Sequence, residues 1–256
     1  MPDLLALLLL LLVVATLLWW QQYRSGNAGW VDVFWSASVG ITGLLLLLIQ
    51  QGQWLPRLIA GLLLACWSWR LASHIATRVM ADDHEDGRYA AMRSALGKWA
   101  QPVFLLFFWG QALLAWGFAL PFKVIGGQTL FCRWSLALGA GLGLLAIVGE
   151  AMADRQLAAF KARSDSAGRT CRQGLWRYSR HPNYFFEWLH WCSYPLIALG
   201  AAGAAWLWLL PLAMFLFIWF VTGIPYTEQQ ALKSRGDDYR HYQQTTSAFF
   251  PWRPKS

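Results

Sequence analysis

Apolar runs long enough to cross a bilayer recur along this chain, each followed by a short polar stretch. About 17–25 consecutive apolar residues suffice for one helical crossing. The pattern predicts seven helical spans, at about 4–20, 32–50, 58–77, 103–121, 131–151, 184–201 and 204–222, the last two divided only by a Gly/Ala turn near Gly203. The first run is almost pure leucine and is expected to face lipid. No Lys or Arg precedes it and no convincing cleavage site follows it, so it reads as a span and not as a signal peptide. The expected fold class is all-α, a polytopic integral membrane helical bundle forming one membrane domain over residues 1–256. No internal repeat, low-complexity tract or flexible linker interrupts it.

Composition agrees. Of 256 residues, 57% are hydrophobic, 13% are charged and 18 are Trp, which excludes an ordinary soluble domain. Lys and Arg crowd into the loops near 21–31, 78–102 and 152–183 and into the tail after 222, whereas the alternate loops hold Arg57, Lys123 and Arg133. Positive charge stays inside, so the N-terminus is expected outside and the C-terminus in the cytoplasm. The net charge of +8 then describes a cytoplasmic face suited to anionic headgroups or a phosphorylated cofactor. No nucleic-acid motif accompanies it. Cys66, Cys132, Cys171 and Cys192 make no Cys-x-x-Cys and have no His at metal spacing, so they read as structural thiols and no metal site is expected.

Polar residues inside or at the ends of apolar spans carry the chemistry. Arg70, His74 and Arg78 recur at i, i+4 and i+8 on the third span, a face expected to turn away from lipid. Arg78 alone also fits a snorkelling end residue. Gln111 reads as helix-to-helix glue, and Gly139 with Gly143 as a close-packing pair. The fifth span runs on through Glu150, Asp154 and Lys161, which lie within about 40° of one another on a helix. Ser25-Gly26-Asn27-Ala28-Gly29-Trp30 is a turn sequence, and Asp32 behind it reads first as a helix N-cap. Arg88 and Tyr89 follow a loop of mixed charge whose acids are mostly solvated.

The densest stretch runs from Arg169 to Trp191, where a basic aromatic loop enters an apolar helix. Pro182 suits the first helical turn. Asn183, Glu187 and Trp191 then share one face. Unpaired backbone N–H groups and the helix dipole at that turn, beside Arg169, Arg180 and His181, make a seat for phosphate. A juxtamembrane loop that only sets topology has similar charge.

Gly174-Leu-Trp-Arg-Tyr-Ser-Arg-His-Pro-Asn-Tyr, with Glu187 four residues beyond Asn183, resembles the C-terminal signature of the steroid 5-alpha-reductase superfamily, and most closely its bacterial branch. The resemblance covers about residues 145–251 well and the N-terminal half in patches. It implies a membrane reductase in the bacterial cytoplasmic (inner) membrane, with a site open to the cytoplasm. There NADPH would reduce a carbon–carbon double bond conjugated to a carbonyl in a lipophilic substrate drawn from the bilayer. Asp154 and Lys161 match the superfamily's acidic and basic cofactor contacts, while Glu150 falls where steroid reductases often have Asn. Tyr239-Arg-His-Tyr242 with Pro251 matches its C-terminal end, and Glu228 joins the polar cluster. Asp32 lies in a Ser-Gly-Asn-x-Gly-Trp-Val-Asp segment similar to one in the bacterial branch, which gives it a second reading as a cofactor contact. The cofactor-binding set is therefore Arg70, Arg78, Glu150, Asp154, Lys161, Arg169, Tyr178, Arg180, His181, Asn183, Glu187, Glu228 and Tyr242. Gln53, His74 and Tyr178 are the candidate donors to the enolate oxygen.

Two departures stand out. Trp54 follows Gln53 where the characterised reductases have Glu, which removes the acid that a 3-oxosteroid would use. Phe186 occupies a position that is usually Gly. Two other classes share parts of the pattern. One is an S-adenosylmethionine-dependent membrane methyltransferase of the isoprenylcysteine carboxyl methyltransferase type, which has the Arg-His-Pro-x-Tyr core. The other is a non-enzymatic lipid- or sterol-binding membrane protein, compatible with the missing acid.

The charge bias makes a direct prediction. A tag fused after Ser256 should react with membrane-impermeant reagents only in permeabilised cells, and one before Met1 in intact cells. Labelling of the C-terminal tag from outside intact cells reverses the assignment.

Overall fold

A computed structural model describes residues 2–81, 84–221 and 223–255. Asp82 and Asp83 of the mixed-charge loop, Thr222 at the end of the last expected span, and Ser256 lie outside the described residues. The described chain is helical, without a strand, and divides into two compact units, residues 1–129 and 130–256. Six helices are long and apolar enough to cross a membrane among the described residues.

The first unit holds α1 (Pro2–Ser25), α2 (Trp30–Ile49), α3 (Trp54–Ala81), α4 (Gly87–Leu96) and α5 (Ala100–Gly127). Its centre is α2, which packs against α1, α3 and α5. Two glycines make this possible. A side chain on Gly40 would overlap Ser68 of α3, and one on Gly43 would strike Leu64 and Phe122. Ser68 Oγ donates to Ser36 O at 2.9 Å across the same contact, so a hydroxyl in apolar surroundings is satisfied. The C-terminus of α2 leaves carbonyls without intrahelical partners. Arg57 reaches back to them, donating to Leu47 O at 3.0 Å and Leu48 O at 3.2 Å. The fourth expected span was to end at Pro121, but α5 continues to Gly127. In an apolar setting neighbouring groups can satisfy the backbone that proline frees, so the ring does not stop the helix. The leucine-rich α1 is the least covered of the six long helices, as its composition predicts.

The second unit holds α6 (Arg133–Lys161), α7 (Pro182–Ile197), α8 (Leu209–Leu216), α9 (Ile224–Arg235) and α10 (Asp237–Thr245). One continuous helix, α6, carries the expected span and its polar extension. Its buried face is a stripe of small residues, including Gly139, Gly143, Ala146, Gly149 and Ala153. A side chain on Gly139 would meet Ser193 O and Ile197, and one on Gly149 would overlap the Phe186 ring. These two contacts fix α6 and α7 as a close antiparallel pair. Gly149 thus supplies on α6 the space that Phe186 takes on α7.

The sixth expected span, 184–201, appears as α7. It has 16 residues with Pro195 inside, rising about 24 Å against a hydrocarbon core of about 30 Å. Glycines 200 and 203, at φ of +101° and +84°, make the turn expected there. The seventh is irregular: a 3₁₀ turn over Ala204–Trp208, then α8, then a π-helical turn over Phe217–Val221. The tail folds back onto this unit. Phe249 is buried among Phe185, Trp188, Phe215 and Trp219, a burial that contributes about 1.5–3 kcal/mol. All four cysteines are free thiols.

The Gly149–Phe186 contact can be tested. Gly149→Ala forces a methyl group into a ring and should destabilise the protein by about 1–3 kcal/mol. Gly141→Ala, where no atom lies within 4 Å of the new carbon, should not. Equal melting temperatures for the two variants in detergent would rule out this packing.

Candidate functional site

The basic loop is held from two sides. On one side it docks on α6. Gly174 has φ +57° and its α-carbon faces the Gln156 side chain, where no Cβ fits. Gln156 Oε1 accepts from Leu175 N at 2.9 Å, and Trp176 Nε1 donates to Ala153 O at 2.9 Å. On the other side the tail clasps it. Arg180 N donates to Ser247 O at 2.8 Å, Trp252 N to Tyr178 O at 2.9 Å, and Ser179 Oγ to Phe249 O at 2.9 Å. The buried Tyr242 hydroxyl donates to Trp176 O and Ser179 O.

Arg180 and Glu228 lie at the middle of this clasp. Arg180 Nε donates to Glu228 Oε1 at 2.7 Å, and its Nη1 donates to Gln243 O and Thr246 O. Gln243 Nε2 donates to Glu228 Oε2 at 2.7 Å. His181 Nε2 lies 3.1 Å from Glu228 Oε1. An ionised carboxylate only accepts, so this imidazole carries its proton on Nε2. Burial pushes the His181 pKa below the ordinary imidazole value, against the opposing pull of Glu228. Four expected cofactor ligands, Arg180, His181, Glu228 and Tyr242, are thus engaged in fastening loop to tail.

The other expected residues of this unit gather where α6 ends and α7 begins. Glu187 is buried one turn into α7 and accepts from Trp191 Nε1 at 2.9 Å. Asn183 is half-buried on the same face, and its side chain makes no hydrogen bond among the described residues. Glu150 is buried in α6. The register set by Gly149 against Phe186 places Glu150, the next residue of α6, beside the opening turns of α7, and Asp154 one turn further towards the start of α7. Lys161 and Arg169 are exposed, and Arg169 pairs with Asp165 at 3.2 Å. Arg163 pairs with Asp165, and Arg172 with Asp238. Among the described residues, Arg177 is the one arginine of this loop that makes no ion pair. Tyr178 is partly exposed.

In the first unit, Arg70 is half-buried, His74 exposed, and Arg78 exposed and paired with Asp86 at 3.3 Å. Gln53 precedes α3 and donates to Thr129 O at 3.0 Å. It stands 21 residues before His74, about 30 Å along the helix. The structure therefore does not bring these two expected catalytic groups together, and no single carbonyl can meet both. Trp54 is two-thirds exposed at the start of α3. Asp32 is not an N-cap: α2 starts behind Gly29, and Asp32 accepts from Arg88 Nη2 and Tyr89 OH at 2.7 Å each. Glu85 pairs with Arg93 at 2.8 Å and accepts from Ala28 N. The sequence reading missed the engagement of Gln156, Ser179, Gln243 and Glu85. Only the polar character of their flanking segments signalled it. No group of His, Cys, Asp and Glu able to hold a metal occurs among the described residues.

The family model described as "Protein of unknown function (DUF1295)" matches residues 18–246. No curated protein and no solved structure matches the chain.

The clasp predicts two outcomes. Glu228→Gln removes one partner of a pair whose side chains are 12% and 14% exposed. Leaving Arg180 uncompensated should cost about 3–5 kcal/mol and expose the tail to trypsin; unchanged melting and digestion would show that the pair does not hold it. The depressed His181 pKa favours the fold above about pH 6.5, and that contribution is lost as pH falls through the lower folded value. The melting temperature of the wild type should therefore drop more steeply between about pH 7 and 5 than that of His181→Asn. Parallel slopes would assign the acid loss to other groups.

Proposed function

The chain belongs to the DUF1295 family, and on that premise we propose that it is an NADPH-dependent membrane reductase of the steroid 5-alpha-reductase-like type. It acts on a carbon–carbon double bond conjugated to a carbonyl in a lipophilic substrate. The observation that carries this reading is the pair Asn183 and Glu187. An amide that is half-buried and has no side-chain hydrogen bond among the described residues shares the opening turns of α7 with a buried carboxylate, within the motif that resembles that superfamily.

The donor set fits the cofactor. A nicotinamide carboxamide has both a donor and an acceptor edge, matching a carboxylate and an amide side chain. Trp191 positions Glu187 by donating to Oε1. Lys161 and Arg177 make no ion pair among the described residues and are available to phosphate. Arg169 can leave its exposed pair with Asp165 at little cost. The unpaired N–H groups at the start of α7 add to that field. NADPH, when bound, supplies the hydride. The chain contributes orientation over the alkene, exclusion of water by apolar walls, and electrostatic support of the developing enolate. The positive-inside bias supports a site opening to the cytoplasm, where a soluble dinucleotide meets a membrane-borne substrate.

NADPH at one hundred times its dissociation constant should stabilise the purified protein by about 2.7 kcal/mol, and S-adenosylmethionine should not. Glu187→Gln weakens a charge-assisted hydrogen bond and should lower NADPH affinity about ten- to a hundredfold. Lys161→Ala should weaken binding more at low salt than at high salt. Unchanged affinity in both variants would sink the site, and stabilisation by S-adenosylmethionine alone would identify a methyltransferase.

A further inference from the structure

A cleft lies where the basic loop meets the C-terminal tail. Its volume is about 440 Å³, and Tyr178, Pro251, Trp252 and Arg253 line it. Tyr178 and Trp252 are 42% and 75% exposed. Exposed aromatic rings on a tail are common at membrane surfaces, but these two stand on a backbone that is pinned. Trp252 N donates to Tyr178 O, Lys255 N donates to Thr245 O at 2.8 Å, and the neighbouring Ser179 and Phe249 are buried and bonded. The cleft walls are apolar apart from one cation, Arg253, which makes no ion pair among the described residues. Arg177, the unpaired arginine of the loop, immediately precedes Tyr178. Carboxylates engage Arg163, Arg169, Arg172 and Arg180, so Arg177 and Arg253 are the guanidinium groups beside these two rings that no carboxylate engages among the described residues.

We propose that this cleft binds the adenosine end of a phosphorylated nucleotide, its base against Tyr178 and Trp252 and its phosphate on Arg253. Flat aromatic faces accept any base, and a neighbouring guanidinium adds the phosphate contact. Where the reductase reading holds, on which the identity of the whole ligand rests, the cleft takes the adenosine half of NADPH and Arg253 recognises its 2′-phosphate. Tyr178 and Asn183 are five positions apart, at most about 18 Å of chain, the order of the distance between the two ends of an extended dinucleotide. Tyr178 then belongs to cofactor binding and not to proton delivery.

The experiment compares three probes on the full-length protein in detergent: NADPH, adenosine 2′,5′-bisphosphate and reduced nicotinamide mononucleotide. Trp252→Ala should weaken the first two about tenfold and leave the mononucleotide unchanged, while Trp252→Phe should retain most of the affinity. Arg253→Ala should reduce the preference for NADPH over NADH. Equal weakening of all three probes by Trp252→Ala, or of none, overturns the cleft assignment. If the wild type binds adenosine 2′,5′-bisphosphate in a Trp252-dependent way but neither NADPH nor the mononucleotide, the cleft stands and the reductase reading falls. A wild type that binds none of the three overturns both.

Discussion

The second unit is organised around one guanidinium. Arg180 stands between a 3₁₀ turn, Gly174–Arg177, and α7, and its donors reach a carboxylate on α9 and two carbonyls at the end of α10. A charge that is 12% exposed next to apolar helices is tolerated only with a partner and a full set of hydrogen bonds. Here one residue meets both conditions for three segments at once. The position of α7 follows, because Pro182 begins it two residues later. The orientation of Asn183 and Glu187 therefore depends on a contact between residues 48 apart in the chain.

That dependence separates two roles that residue type alone cannot. Arg169, Arg172, Arg177 and Arg180 look alike in the sequence. In the fold, Arg180 is a clamp, Arg169 pairs within the loop with Asp165, Arg172 reaches Asp238 of α10, and Arg177 is left uncommitted among the described residues. The histidine and tyrosine of the signature divide in the same way: His181 and Tyr242 are buried and bonded inward, while Tyr178 faces out.

Much of the fold was legible in the chain. Leucine-rich runs become helices because hydrocarbon leaves a backbone no other way to satisfy its polar groups. Gly139 announced close packing because small residues let helices approach. The continuity of α6 was legible from the period of Glu150, Asp154 and Lys161. What stayed hidden was partner choice. Asp32 had the spacing of a cap, but Arg88 and Tyr89, more than 50 residues away, claim it. Gln53 and His74 both looked fit to polarise a carbonyl, and only the unbroken length of α3 keeps them apart. Phe186 looked like an intrusion until Gly149 appeared beneath it.

That last pair restricts how the chain can change. Volume removed from α6 and volume added to α7 are one quantity held in two places. A bulky residue at 149 is harmful while Phe186 stands and becomes acceptable once position 186 is small. The two substitutions are therefore not interchangeable in order. Any mutational route between a glycine at one site and a glycine at the other must pass through the form with both positions small, which leaves a cavity and weakens the fold. It cannot pass through the form with both large, which does not pack. The sign of each change depends on the residue opposite, so such a pair should drift as a couple.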